Sequence, residues 1–452
     1  MANPLILSSM NHSIYLLFFL VFCSSIQAQD VKSLSLTEAL DLAIKNRKEL
    51  TIQQIKVDQA RADINILNAR RSFQIKASGD VRYNPVLQTS IIPGAAFQTG
   101  ATPGEDREIQ FGTRFNALVG VEGSYRLVDP TFKTDVDLAM QNKELTASNG
   151  EKEKIEIQFQ VTKSFFEALL QKEAIQISKE QLKKAEYWME IAQVQSANGT
   201  ILPNDLLKFK RDLAVAKSNL EISERQYHQR CKEIAYFTGL PVGSEVEPLG
   251  DLKNQVSSNS TDALPSDDIL KRPELLQTGL AMKIASLNQL KQEQINKPAV
   301  DFYTNVNAQH LSNDFAVWNR WFPFVFGGVR MQWNLMDGGL KKKNQEKYAL
   351  EYKWQSVHLE KLQADFSYEW LTAQNDYVLA LKNIAIQDEN IALSNQILQN
   401  DELKFKEGAG LVTTLRESQL SLKEANQLKL SFQADACQAR LRMMRAAGKI
   451  IP

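Results

Sequence analysis

The sequence predicts a mainly α protein carrying a membrane β-barrel portion, built from two internal repeats of helix, strand, strand, long helix and helix. Three features of its 452 residues lead there. The chain matches itself at a near-constant spacing, two stretches are helical over far more than one small core can cover, and four segments alternate apolar and polar residues.

The repeat organises everything else. NRKEL at 46–50 matches KRPEL at 271–275, a spacing of 225 that also pairs residues 74–83 with 299–308. VGVEGSYRLVDPTFK at 119–133 pairs with GGVRMQWNLMDGGLK at 327–341 at 208, and Gly199 with Gly408 and Gly239 with Gly448 at 209. The drop in spacing leaves about 17 extra residues of the first copy between Tyr83 and Val119, in a Gly-, Pro- and Thr-rich stretch that reads as a loop.

Taken in order, residues 1–28 read as a signal peptide. The apolar run Ile14 to Cys23, about ten residues, is too short to cross a bilayer as a helix. It precedes Ile26-Gln27-Ala28, a small-residue cleavage pattern. No Lys or Arg precedes the cut, so the positive n-region is missing unless synthesis starts at Met10. A second reading cuts before Cys23 and lipidates its thiol; the bulky Phe22 argues against it.

The first repeat, 29–240, opens with a helix over about 36–70, started by the capping-box spelling Ser35-Leu-Thr-Glu38. Strands follow at about 74–84 and 114–128, then helices at about 131–197 and 204–237. Residues 241–268, rich in Pro, Gly and Ser, join the copies. The second repeat, 269–452, repeats the order: helix 269–296, strands 299–309 and 325–335, helices 338–406 and 412–447.

Each long middle helix is roughly 100 Å at 1.5 Å per residue, and its two shorter neighbours would together match it end to end. Such a helix needs partners along its whole length. Leu206, Phe209, Leu213, Ala216, Leu220, Ser223, Tyr227, Arg230, Ile234 and Phe237 step 3-4-3-4, as do Leu415, Ser418, Leu422, Ala425, Lys429, Phe432, Ala436, Ala439, Met443 and Ala446. That step makes a coiled-coil seam.

In the strands, Phe115, Ala117, Val119, Val121, Gly123, Tyr125 and Leu127 oppose Asn116, Gly120, Glu122, Ser124 and Arg126. Ile75 to Tyr83 and the second-copy pair alternate in the same way, with Val325, Val329, Met331, Trp333 and Leu335 opposite Arg330, Gln332 and Asn334. A soluble sheet on a core would alternate equally well. Against it stand the lack of a short amphipathic helix to cover such a sheet and the aromatics Trp318, Trp321, Phe322, Phe324, Phe326 and Trp333, which suit a barrel wall at the headgroups. Four strands cannot close, and an open edge in lipid strands backbone groups without partners. The barrel must be shared, by two copies with eight strands and a filled lumen or by three with twelve. A conduit needs three.

With 53 basic and 53 acidic side chains, no nucleic-acid partner is indicated. Cys231 and Cys437 fall in helical patterns without metal or redox spacing, so packed free thiols are expected. Gly408-Ala409-Gly410 follows a helix and not a strand, which excludes a phosphate loop. No catalytic constellation, metal site or cofactor motif appears, and an enzyme is not expected.

LSLTEALDLAIKNRKEL near the start, the duplicated unit, GTILPNDLL and GAGLVTTLRESQLSLKEANQ at two turns, and FTGLP and AAGK at the two ends together resemble the TolC family of outer-membrane efflux proteins. The resemblance covers nearly the whole mature chain. It implies a homotrimer with a twelve-stranded barrel in the outer membrane of a double-membraned bacterium, and a twelve-helix α-barrel projecting into the periplasm. It also implies a mixed equatorial domain, to which 241–268 and the C-terminus correspond. The implied role is a passive conduit for efflux or type I secretion, opened at its periplasmic tip by an adaptor protein and an inner-membrane pump of RND or ABC type. The competing class is an exported coiled-coil scaffold without a pore.

The two turns would form that tip and dock the adaptor. Gly199 and Gly408 suit the positive φ that ends a helix, Pro203 suits the start of the next, and Asn204 or Asp205 would cap it, or the acid would simply favour the dipole of the first turn. In the resemblance Asp205 matches a gate aspartate, Thr414 holds the equivalent place in the second copy, and Glu417 matches an acid facing the lumen. Gly410 stands where the family has a gate arginine and Phe405 where it has a tyrosine, so the locking bonds must differ. Lys341, Lys342 and Lys343 open the second long helix beside a strand end, where they would reach lipid phosphates or water.

Overall fold

In a computed structural model of the chain, residues 32–93, 106–241, 243–252, 266–315 and 320–450 are described. Residues 1–28, Cys23, Trp318 and much of the 241–268 segment lie outside them. In order they form β1 (Lys32–Leu34), α1 (Leu36–Asn46), α2 (Lys48–Arg70), β2 (Gln74–Tyr83), β3 (Gln88–Pro93), β4 (Asp106–Phe111), β5 (Phe115–Val128), α3 (Phe132–Ala197), α4 (Pro203–Phe237) and β6 (Val246–Pro248). A 3-10 turn at Ser266–Lys271 leads to α5 (Pro273–Ile295), β7 (Ala299–Ser312), β8 (Trp321–Gln332), α6 (Leu340–Lys406) and α7 (Val412–Ala446). No helix among the described residues is long and apolar enough to cross a membrane.

The chain divides into two compact units. The first holds residues 1–54, 148–276 and 359–452, and its core is dominated by alanine. Ala39, Ala43, Ala168, Ala436 and Ala439 are fully buried among Val161, Phe165, Ile234 and Met443. Small side chains let the helix backbones approach closely. None of the twenty positions of the two 3-4 stripes is exposed, so both seams are used along their length. Ser35 and Glu38 form the capping box at α1, with Ser35 N–H to Glu38 Oε2 at 2.8 Å. β1 and β6 pair in parallel, which gives the joining segment a strand that its composition does not advertise.

Three expectations need correction. The helix expected over 36–70 breaks at Arg47, whose backbone is extended. The Arg47 guanidinium lies 5.1 Å from the Tyr236 ring, donates to Tyr236 O at 3.2 Å and pairs with Glu49 at 2.6 Å. Beside it Gly239, at φ 71°, comes so close that a Cβ there would sit 2.8 Å from Asn46 Cβ. The break is thus imposed by the end of α4 packing on it. The second copy repeats the device: Arg272 makes two 3.1 Å bonds to Glu274, reaches Ala446 O at 3.5 Å, and lies 3.5 Å over the Phe366 ring, with Gly448 against its side chain. This is what the matched NRKEL/KRPEL and Gly239/Gly448 pairs do.

The second unit holds residues 55–147 and 277–358 and is built on a four-stranded antiparallel sheet ordered β2-β5-β7-β8. The second correction concerns the expected loop after Tyr83, which contains a hairpin: β3 and β4 pair from Gln88↔Phe111 to Pro93↔Asp106. Its short alternating stretches are masked in composition by the flanking Gly and Pro. Third, β8 begins at Trp321 and not at 325, because its pairing with β7 extends to His310↔Trp321 and accommodates Pro323 on the sheet's edge strand. Trp333 lies past the strand end and donates its indole N–H to Asn296 O at 2.8 Å. Across the sheet Val121, Ala77, Val306 and Val325 share one face, and Glu122, Lys76 and Asn305 the other.

At the start of α6, Asp337 accepts from the N–H groups of Gly339 and Lys341 at 3.0 Å each, and these bonds hold its carboxyl below the ordinary range. Lys342 and Lys343 stay exposed, Lys343 beside Glu346.

Cys231 and Cys437 are buried and free; burial raises their thiols to about 11 and about 12. Neither should react with a maleimide at pH 7 until the protein is unfolded, and mass spectrometry of labelled native protein checks this. Burial works to raise the Glu274 carboxyl, but the Arg272 bond and charge outweigh it and lower it. That contribution is therefore complete above the ordinary glutamate range and is lost as pH falls through the lowered value. Arg272→Ala should cost about 3 kcal/mol by taking the main charge partner from the half-buried Glu274. Gly239→Ala should cost more than the roughly 1 kcal/mol expected of Gly199→Ala, whose Cβ meets nothing. Thermal unfolding of the three variants should rank them in that order.

Candidate functional site

The chemistry of the site begins with two helix ends of identical construction. At Gly199, φ is 74°, its N–H reaches Ser196 O at 3.1 Å and the Thr200 N–H reaches Gln195 O at 2.9 Å. At Gly408, φ is 76°, with Gly408 N–H to Phe405 O at 3.1 Å and Ala409 N–H to Lys404 O at 2.9 Å. Both are Schellman ends, in which glycine's freedom to adopt positive φ lets the last carbonyls find partners. Each reverses the chain into a helix whose N-cap is a leucine, Leu202 or Leu411.

Neither Asn204 nor Asp205 caps α4, which corrects one sequence expectation; Asp205 lies in the first turn, as the alternative had it. Leu202 occupies the cap without a side-chain bond, Pro203 takes the first helical position, and Asp205 pairs with Lys208 at 2.8 Å. These N-cap residues, three beyond the glycines, are 69% (Leu202) and 70% (Leu411) exposed. The hairpins therefore end in uncovered leucine side chains.

A compact cluster joins the hairpins behind these turns. Phe405 is buried against Trp188 at 5.7 Å and Phe209 at 6.2 Å between ring centroids, with Leu398, Val412, Leu415 and Leu422 around them. Gly410 is required by this packing, since a Cβ there would lie 2.8 Å from the Phe405 backbone nitrogen. Lys406 caps the cluster, 5.1 Å over the Tyr187 ring, and the Tyr187 hydroxyl raises its pKa. Phe405 and Gly410, where the resemblance expected a polar lock, thus form an apolar one.

Next to it the two hairpins share a charged bond. Arg416 on α7 holds Asp212 on α4 through Nε at 2.7 Å and Nη2 at 3.0 Å, a two-pronged geometry that fixes orientation as well as distance. Glu417 is exposed and lines the adjacent groove of about 560 Å³ with Asp212, Arg416, Lys184 and Lys423. Asp205 is not among its lining residues, so the structure does not bring the two expected acids together.

Sequence reasoning missed Arg416, Asp212 and Trp188. Asp212 and Arg416 flank the seam residues Leu213 and Leu415, where charges of opposite sign pair across neighbouring helices. That position was the available signal. At the 209-residue spacing Leu415 and Leu422 keep leucine twins, Leu206 and Leu213, but the rings and charges do not: Phe405 answers to Ser196, Phe209 to Ser418, Asp212 to Ser421 and Arg416 to Leu207.

Phe405→Ala should cost about 3 kcal/mol locally. Amide hydrogen exchange should quicken in both hairpins, near 187–209 as well as 403–415. Acceleration confined to 403–415 would show that the cluster does not couple them. Arg416→Ala and Asp212→Ala in a double-mutant cycle should show coupling of about 1 kcal/mol, the scale of a well-oriented, partly exposed pair.

The outer membrane efflux protein family model matches residues 39–240. Among solved structures, CusC, described by its transmembrane channel formation, matches at 16% identity over 92% of both chains with a TM-score of 0.73. The outer membrane protein VceC from Vibrio cholerae matches at 13% identity, covering 92% of this chain and 96% of that one, with a TM-score of 0.70. The Campylobacter jejuni CmeC outer membrane channel matches at 13% identity over 91% of this chain and 85% of that one, TM-score 0.69. No curated protein matches the sequence. At these identities the solved structures share a fold with this chain.

Proposed function

We propose that the chain, whose residues 39–240 match the outer membrane efflux protein family, forms with two further copies a passive conduit through the outer membrane, extended into the periplasm and closed at the paired helical turns. One observation carries this reading. The sheet β2-β5-β7-β8 is antiparallel throughout, has an apolar face, and leaves the outer edges of β2 and β8 without a partner strand among the described residues. Because β2 and β8 run in opposite senses, β8 of one copy can pair with β2 of the next in the same antiparallel pattern. Three copies then give twelve strands with no edge left open in lipid.

In such a ring the two hairpins of each copy become six. Their exposed Leu202 and Leu411, with the turns at Gly199, Pro203, Asn204, Gly408 and Gly410, would meet a periplasmic adaptor, which in turn recruits an inner-membrane pump. Opening requires the hairpins to separate, and within one copy the Arg416–Asp212 bond and the Phe405 cluster oppose it. Asp205 and Glu417, repeated three times each, would set rings of carboxylate that favour cations. Lys342 and Lys343 stand clear to reach phosphate groups at the membrane's inner face. The energy of transport and most of the choice of cargo belong to the pump.

Reconstituted into planar bilayers, the wild-type trimer should conduct weakly, and Arg416→Ala should raise its conductance several-fold while leaving a heat-modifiable trimer on gels. Glu417→Gln together with Asp205→Ala should lower the preference for potassium over chloride, read as a shift in reversal potential under a salt gradient. A monomer that stays soluble without detergent and never conducts would refute the conduit.

A further inference from the structure

β8 departs from the pattern of its neighbours, and its register corrects the expectation that Phe322, Phe324 and Phe326 belong to the lipid-facing wall at the headgroups. On β2, β5 and β7 the face shared by Lys76, Glu122 and Asp301 is polar, but the pairing register puts Phe322, Phe324 and Phe326 on that same face. These rings are 49%, 39% and 47% exposed, opposite the short amides Gln309, Asn307 and Asn305, which do not cover them. Three uncovered aromatic side chains in a row are not ordinary surface. Phe324 and Phe326 stack in parallel, 6.1 Å apart and 4° from coplanar, and Phe326 meets the Tyr303 ring at 6.3 Å. At the end of the row the Arg330 guanidinium lies 4.8 Å over Tyr303, so the track already holds a flat cation at one end.

Taking this face as the lumen wall, as the conduit reading does, we propose that the Phe322–Phe324–Phe326 row is a binding track for planar aromatic cations passing through the conduit. Side chains two apart on a strand stand about 7 Å from one another, so the three rings span roughly 14 Å along the wall. A flat aromatic cation stacks on such rings and is drawn by the negative potential of their faces. An aliphatic cation of the same charge gains less, because it offers no flat surface to stack.

Two triple variants of the full chain test this: Phe322→Ser, Phe324→Ser, Phe326→Ser, and the same positions to Leu. Ethidium, flat and aromatic, and tetrabutylammonium, aliphatic, serve as probes. Ethidium binding to the detergent-solubilised trimer, followed by fluorescence polarisation, should weaken about tenfold in both variants, a difference the scale of one or two cation–π contacts. In bilayers the concentration that half-blocks current should rise by a similar factor for ethidium and stay within twofold for tetrabutylammonium. Unchanged ethidium affinity, an equal shift for both probes, or full affinity in the leucine variant would overturn the track. So would variants that run only as monomers, since the rings would then be a seam between copies. If the wild type fails to conduct while ethidium binding still follows the rings, the conduit reading falls and the track stands.

Discussion

Unsatisfied strand edges are the constraint from which the rest of this molecule follows. A backbone N–H or C=O that faces hydrocarbon without a partner costs several kcal/mol, and each copy carries two strands with such an edge. No rearrangement within one chain removes both, because four strands are too few to bend into a ring. On the conduit reading proposed above, assembly would therefore be part of folding, and each of the two repeats supplies two strands to the sheet.

The helical part meets a different demand. A helix of 66 or 67 residues has almost no fixed amphipathic face over its whole length, and it is stabilised only where others lie against it. The fully buried alanines show how: bare backbones come close where several elements converge, at the level of the Arg47 and Arg272 staples. There the helices converge on one alanine-rich core. Towards the turns the packing thins to a single aromatic cluster and one two-pronged ion pair. Trp188 is buried there with no partner for its indole nitrogen, a local cost that Trp370 carries at the main core as well. Resistance to separation is graded along the hairpins, strongest far from the turns.

Much of this was legible in the sequence because it is periodic. The two-copy spacing, the 3-4 stripes and the strand alternation each repeat often enough to stand out. The positive φ at Gly199 and Gly408 followed from glycine at the end of a helical pattern. What escaped was decided by single contacts between distant segments. Nothing local to Arg47 breaks its helix; Tyr236 and Gly239 do, from the far end of the unit. The β3–β4 hairpin is too short to announce itself among Gly and Pro. At the turns, Asn204 and Asp205 have the chemistry of caps but are displaced by the register that Pro203 imposes. The Arg416–Asp212 bond joins residues 204 apart, visible in sequence only as charges beside a seam.

The copies agree where they are stapled and differ where they are locked. Arg47–Glu49 and Arg272–Glu274 are the same device twice, whereas Phe405, Phe209, Asp212 and Arg416 have Ser196, Ser418, Ser421 and Leu207 for twins. Had the duplication stayed exact, a ring of six hairpins would carry six equivalent junctions, and none would be first to part. In the proposed ring, divergence would divide them into two alternating kinds, those within a copy and those between copies. Such a ring would yield along three predetermined lines, so a partner pressing on it from outside would act on a mechanism with threefold and not sixfold choices.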